Sequence, residues 1–451
     1  MIYKLCLVLS IGFAGVGYAQ KYSTSPFSTQ GIGEAGGLED SQFGAYGNCR
    51  TAIMDSATVN IYNPSSYTAL AKGQPLFAIG MSSRFSRYTT GSNTYNGQTI
   101  GLNQITMVLP FGKRFGMAIG LQPFSRKGYS IEQKELVGTD TVRNIYKGNG
   151  TTQQILGGLA YKFLDIKRHQ ASVGLNYSYI FGSVTDERQV SFIAYEPIGG
   201  LDQLTYRLHG GQLSVGMNYA IMLDTMKNQY LRLAAVFTPE QKLSAHRDYF
   251  HYTSTDISNP NVYDTLSSNT NDKGSIVYPA SYSIGLNYSF RPRVTTKYSR
   301  KNVYQINIYA DYSSTRWSDY QTQFSTEDFD FSLANSQRFS FGMQYTPNYE
   351  SYAKSIGTSY FNRVRYRAGT YFGSLPNLES GKQLKEFGVS FGFGLPIASQ
   401  KTNSTFNFSV QYGQRGNNEP SGLQEQFIGF NFGVILAPAS YDKWFKKYKL
   451  D

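Results

Sequence analysis

The sequence predicts an all-β fold: a transmembrane antiparallel β-barrel of about 14 strands with an N-terminal plug or hatch inside its lumen. Three observations predict it. From residue 74 onward, apolar side chains recur at every second position. "EFGVSFGFGL" sets Phe387, Val389, Phe391, Phe393 and Leu395 on one face, against Gly388, Ser390, Gly392 and Gly394. "TFNFSVQYG" and "FIGFNFGVIL" repeat the device. Period two is the strand signal. The second observation is the chemistry of the opposite face, which is Gly, Ser, Asn and Gln with little charge. A soluble sandwich exposes charge there, whereas a crowded lumen is polar and uncharged. The third is composition: 37 Tyr, 30 Phe and 45 Gly with only 16% charged residues. After Ala19 no apolar run reaches the roughly 18 residues of a membrane helix.

Taken in order, residues 1–19 read as a secretory signal peptide. Lys4 supplies the positive start, 5–16 the apolar stretch, and Gly17, Tyr18 and Ala19 the cleavage site. Cys6 begins the apolar stretch, so it is not a lipoprotein cysteine. The remaining chain holds a single cysteine, Cys49, which excludes a disulfide framework or a cysteine metal cluster. Residues 20–73 do not alternate and are rich in Gly, Ser and Ala. A lumen this wide is not filled by strand side chains, so the segment is expected to plug it, with Ile53, Met54, Val59 and Ile61 lining apolar pockets.

The barrel is expected over 74–437. Its strands fall at 74–90, 101–110, 114–134, 144–163, 169–185, 203–222, 228–251, 273–290, 301–316, 332–346, 361–373, 384–396, 403–414 and 425–437. Several exceed the 9–11 residues that cross lipid and should project beyond it. Short links alternate with long polar ones around 91–100, 135–149, 185–203, 252–272, 314–334, 374–383 and 415–424. The short side is periplasmic in outer-membrane barrels. Links 291–300 and 347–360 are longer than that rule gives. Residues 438–451 form a periplasmic extension containing Trp444, Phe445, Lys446 and Lys447.

One strand is interrupted. In "GLQPFSRKGYSI", Met117, Ile119 and Leu121 alternate with Ala118, Gly120 and Gln122, and then Pro123 arrives. Proline cannot donate to a ladder, so it marks an edge, a bulge or a strand end. With Gly128 downstream, it predicts a local bend.

The net charge is +12. The basic residues sit in links between strands: Lys113 and Arg114, Lys167 and Arg168, the 291–301 stretch, and the C-terminal tail. Nucleic-acid binding needs a clustered basic face, and a secreted chain does not meet nucleic acid. The partners to expect are outer-membrane lipid, lipopolysaccharide, and a periplasmic or outer-membrane protein met through the basic turns and the tail. His169, His209, His246 and His251 form no arrangement of known mechanism. The carboxylate pairs Asp186 with Glu187 and Glu327 with Asp328 read as solvated loop charge. No catalysis, cofactor or metal is expected.

"DSATVNIYNPSSYTAL", residues 55–70 with Asn60, Tyr62, Asn63 and Pro64, resembles the hatch motif of the FadL family of outer-membrane transporters for long-chain fatty acids and aromatic hydrocarbons. The order of signal peptide, glycine-rich start, Asn-Pro segment and strands is similar too. The C-terminal extension departs from that pattern and looks like those of Bacteroidetes relatives. The resemblance implies a protein of the bacterial outer membrane that passively transports a hydrophobic small molecule. It also implies an inward kink in the third strand through which ligand leaves sideways. Carried onto this chain, the lateral-gate candidates are Gln122, Pro123, Phe124, Gly128 and Tyr129. Arg84, Arg126 and Lys127 are candidates to receive a ligand carboxylate if they face the lumen. Two other functions compete: a non-transporting barrel that serves as subunit or shuttle of a larger outer-membrane complex, and an open porin, which a plugged lumen disfavours.

Overall fold

The structure is a computed structural model describing residues 25–36, 40–71, 73–166, 168–192, 199–224, 228–254, 264–296, 299–302, 304–325, 332–348, 360–397, 404–417 and 422–437. The signal peptide and the C-terminal extension expected from the sequence lie outside these residues.

Fourteen antiparallel strands close into a ring. They are β1 (Leu76–Thr90), β2 (Asn93–Phe111), β3 (Phe115–Val137), β4 (Asp140–Ile166), β5 (His169–Phe192), β6 (Gly199–Asp224), β7 (Gln229–Thr238, then Gln241–Ser254), β8 (Asp264–Tyr278, then Ser281–Phe290), β9 (Gln305–Thr315), β10 (Ser336–Thr346), β11 (Arg365–Glu379), β12 (Lys382–Pro396), β13 (Thr405–Gly416) and β14 (Leu423–Leu436). Each pairs with its neighbours in sequence, and β14 returns to β1 with Phe77 opposite Leu436 and Tyr88 opposite Glu425. Closure removes the sheet edge that lipid would not tolerate.

The alternation read from the sequence becomes two surfaces. Ile79, Phe85, Ile119, Leu159, Phe391 and Ile428 are exposed, while Ser82, Asn103, Asn176, Ser390, Asn407 and Asn431 are buried. Apolar side chains point out and amide and hydroxyl side chains point in, the inverse of a soluble domain.

Several expected long links are strand. β3 and β4 run on to a two-residue turn, with Val137 opposite Asp140. β11 and β12 meet at Ser380 and Gly381, whose positive φ angles of 49° and 77° suit a two-residue hairpin. β2 begins at Asn93 rather than 101. β7 and β8 are each broken once, at Pro239 and Pro279, where the ladder lacks a donor. Above the breaks, β7 pairs directly with β6 and β8 with β7. β4 has 27 residues, far more than lipid requires. On the short-turn side, part of the long 291–300 link is a small hairpin, with Arg293–Thr296 against Ser299–Asn302.

Residues 25–36 and 40–70 lie against the inward faces of strands around the ring. Tyr46 donates to Gln344 on β10, the Gly47 N–H to Ser390 on β12, and Tyr67 to Asn176 on β5. The N–H groups of Arg50 and Thr51 donate to Asp311 on β9 at 2.6 and 2.7 Å. Glycine in the wall lets this backbone approach. A Cβ at Gly369 would collide with the backbone of Tyr46 and Gly47, and one at Gly174 with that of Pro64 and Ser65.

Candidate functional site

β2 and β3 part company at the proline. They are paired from Phe111 and Phe115 up to Ile105 and Leu121, and no further. β3 keeps its other neighbour, β4, with a bulge between Pro123 and Ser125. An added residue bends a strand and re-aims its side chains. Phe124 through Gly128 are all buried, so this stretch turns away from the lipid face.

The side that β2 vacates is taken by the N-terminal segment. Glu34 and Ala35 pair with Arg126 and Ser125. The Gly36 N–H donates to the Phe124 carbonyl and the Ser25 N–H to the Gly128 carbonyl, both at 2.7 Å. Ser28 Oγ accepts from the Gly128 N–H at 3.0 Å, and Ser125 Oγ donates to the Ile32 carbonyl. The backbone groups freed by the kink are thus satisfied by protein. Arg126 reaches back across the gap. Its Nη2 donates to the Leu102 carbonyl at 2.8 Å, and its guanidinium fills the space where Gly101 has no side chain.

A cavity of about 490 Å³ adjoins the kink, a size that suits a small-molecule ligand. Gln122, Pro123, Phe124 and Arg126 line it, with Phe27 and Ile32 from the N-terminal segment and Tyr278, Trp317 and Tyr320 from the wall. Phe124 stacks tilted on Tyr278 at 4.7 Å, and Trp317 stands edge-on to Tyr278 at 5.5 Å. The remaining lining is mostly Ser, Thr, Asn, Gln and Gly, with two ion-pair clusters set into it. Arg415 binds Glu425 and Glu34, and Arg338 grips Glu386 through two bonds of 2.6 and 2.8 Å.

The structure sorts the sequence candidates. Arg84 and Arg126 line the cavity, with Arg84 over the Phe427 ring at 4.3 Å. Lys127 is not among its walls. It is buried, donates to the Gly31 carbonyl and pairs with Asp186, which also accepts from the Tyr129 hydroxyl. Asp186 therefore belongs to this buried network and not to a solvated loop. Gly128 serves as backbone docking point for Ser25 and Ser28.

The Asn-Pro motif is a knot. Asn60 Nδ2 donates to the Arg50 and Ile53 carbonyls, and Asn63 Nδ2 to the Thr51 carbonyl. Asn63 Oδ1 caps the short 3₁₀ helix that begins at Pro64 by accepting from the Ser65 N–H. Tyr62 packs edge-on against Phe43 under the Arg50 guanidinium.

The apolar lining expected from Ile53, Met54, Val59 and Ile61 is not there. Val59 and Ile61 pack solidly against Leu76, Val108 and Leu156, and Ile53 against Phe43 and Tyr46. Met54 lines a second, smaller cavity. Ile53, Val59 and Ile61 are core residues between the segment and the strands. The aromatic wall comes instead from Phe27, Tyr278, Trp317 and Tyr320, three of which sit in stretches with no strand pattern.

In the N-terminal segment, burial would raise the Asp55 carboxyl. The Arg365 guanidinium at 2.7 Å and the Ala57 N–H outweigh it, so the carboxyl lies below its ordinary value of 3.8. Asp40 goes the other way, because burial prevails over its bonds to the Gln42 and Phe43 N–H groups.

A closed ring, an outward apolar surface, a kinked third strand and an N-terminal segment against the inner wall define the class by fold: a 14-stranded antiparallel β-barrel of FadL-like architecture. Solved structures agree on the fold. A Pseudomonas aeruginosa FadL homologue is similar at a TM-score of 0.54 and 12% identity over 89% of this chain and 98% of its own. The Pseudomonas putida toluene transporter TodX is similar at 0.54 and 13% over 93% and 100%, and the Ralstonia pickettii toluene transporter TbuX at 0.50 and 10% over 89% and 98%. No curated protein matches the chain. The chain belongs to the BamG family, whose model matches residues 1–451.

Proposed function

We propose that this protein is an outer-membrane channel that passes hydrophobic or amphipathic small molecules and releases them sideways between β2 and β3. The observation that carries the reading is the parting of these two strands above Ile105 and Leu121 beside a cavity lined by the same kinked residues. The exposed apolar surface fits a lipid solvent. Residues 25–70 act as the plug, so ligand passes by rearrangement of the segment bonded to the kink. Phe124 is the side chain between cavity and gap, and Arg126 is the bolt across it. Arg84 and Arg126 give the cavity an end suited to an anionic group.

A second reading is a barrel that transports nothing and serves within a larger outer-membrane assembly. It draws support from the same place. The vacated edge of β3 is already occupied by residues 25–36, and Arg338 and Arg415 in the cavity wall are held in ion pairs with Glu386 and Glu34.

Native mass spectrometry of the protein extracted from its own membrane in mild detergent separates the two. The transport reading expects a single chain carrying a small hydrophobic adduct, lost in a Pro123→Ala variant that restores an N–H to the ladder. Stoichiometric partner proteins without adduct would sink it in favour of the second reading.

A further inference from the structure

A second cavity, of about 250 Å³, lies at the short-turn end of the ring, between the N-terminal segment and strands β4 to β9. It shares none of its lining with the larger one. Its walls carry Lys162, Arg232 and Arg291 against the single carboxylate of Asp55, with Lys162 also paired to Asp165 at 3.7 Å. The Asp55 carboxylate is already paired with Arg365 at 2.7 Å.

Three buried polar atoms on adjacent strands lack a partner in the protein: Arg232 Nε, Asn218 Oδ1 and Asn287 Oδ1. Their residues are 8%, 3% and 2% exposed and all line this cavity. Register brings them together. Arg232 on β7 is directly opposite Asn287 on β8, and Asn218 on β6 is opposite Ala234, two residues along from Arg232. Such direct and diagonal neighbours have Cβ atoms roughly 5 and 7 Å apart. The Arg232 Nη1 holds the Met54 carbonyl at 3.2 Å, which fixes the guanidinium while its Nε stays unused. An asparagine amide turned about its last bond presents its NH₂ in place of its oxygen. The cluster then offers one guanidinium N–H and two amide donors to a common point.

We propose that this cavity is an oxyanion site, filled by one phosphate or carboxylate group held by Arg232, Asn218 and Asn287, with Lys162 and Arg291 supplying further positive charge. Burying a guanidinium N–H with nothing to bond is costly, and an oxyanion answers that need with charge-assisted bonds. The bound group contacts both wall and N-terminal segment, since Met54, Ser56 and Thr68 complete the lining. It would therefore stabilise the docked segment by mass action.

The test is isothermal titration of the full mature chain in detergent with inorganic phosphate and, separately, acetate, at constant ionic strength. The expected result is one saturable anion site per chain that depends on Arg232, counted apart from any binding at Arg84 and Arg126. Stronger binding of phosphate assigns the site to phosphate groups, and stronger binding of acetate to carboxylates. Arg232→Gln should weaken binding by about tenfold or more, the scale of one charge-assisted hydrogen bond. Should Arg232→Gln fail to fold, Asn287→Asp keeps the side-chain shape and sets a negative charge at the same point, which should abolish binding. Arg338→Gln, in the larger cavity, should leave it unchanged. Absence of saturable heat with both anions in the wild-type chain, or binding indifferent to the Arg232 and Asn287 variants, overturns the proposal.

Discussion

Asp55 and Arg365 join the N-terminal segment to the wall through one ion pair, and its pH dependence has a definite sign. Asp55 keeps 28% of its side-chain surface accessible, and that surface lines the smaller cavity. Because its folded-state carboxyl sits below the ordinary 3.8, its contribution is fully present above that value. It is lost as pH falls through the lower folded-state value. Asp40, held above the ordinary value, contributes with the opposite sign, favouring the docked segment at low pH and losing that effect as pH rises. Asp55→Asn should remove the Asp55 contribution, loosening the segment by about 2 kcal/mol at neutral pH for a pair of this partial burial. Limited proteolysis within residues 50–70 reads this directly. Cleavage in wild type should rise only at strongly acid pH, and the Asp55→Asn variant should give the higher rate at neutral pH, the two rates converging once Asp55 is protonated.

At the scale of elements, close approach between wall and segment depends on missing side chains. Gly369 on β11 meets the backbone of Tyr46 and Gly47, so Gly369→Ala should displace the 3₁₀ turn at Gly44–Tyr46 while leaving the β10–β11–β12 ladder intact. The expected outcome is normal heat-modifiable migration on a gel, which reports a folded barrel, together with faster proteolysis near Tyr46. Loss of heat-modifiable migration would show that the ring itself needs the glycine. The elements were legible where lipid dictates them. The expected number of strands and the place of Pro123 in the third follow from alternation, because a lipid-facing side chain must be apolar at every second position. Beyond the lipid that demand ends. "TVRNIYKGN" in β4 is strand without an apolar face, which is why its start lay hidden in an expected loop. The kink could be read because proline carries its own constraint. The filling of the vacated edge by Glu34 and Ala35 could not, since a two-residue pairing made so far along the chain leaves no periodic trace. Trp317 and Tyr320 escaped notice for the same reason: a short 3₁₀ turn places them.

For the molecule as a whole, the belt of exposed apolar residues fixes where lipid lies. Leu159 and Phe391 are 63% and 64% exposed and lie several residues in from the short-turn ends of β4 and β12, whereas Leu136, at 71%, stands at the β3–β4 tip. Lysine at 159 or 391 should destabilise the barrel in bilayers by about 2–4 kcal/mol, while Leu136→Lys should cost about 0–1. Denaturant titration of the three variants in lipid vesicles measures both. Equal costs at all three positions would contradict the placement of the tip beyond the membrane.

The vacated edge of β3 also constrains how the chain can be assembled. Residues 25–36 precede every strand of the ring in the chain, and they complete a wall whose seam is sealed by β14 against β1. Tyr46, Gly47, Thr51 and Tyr67 bond to strands drawn from most of the circumference. A ring already shut would have to thread this segment through its mouth. The simpler order has the strands wrap around a waiting N-terminal template, with the seam closing last. Maturation would then be gated by its slowest long-range encounter, and a chain lacking residues 25–36 would lose the mould around which its wall closes.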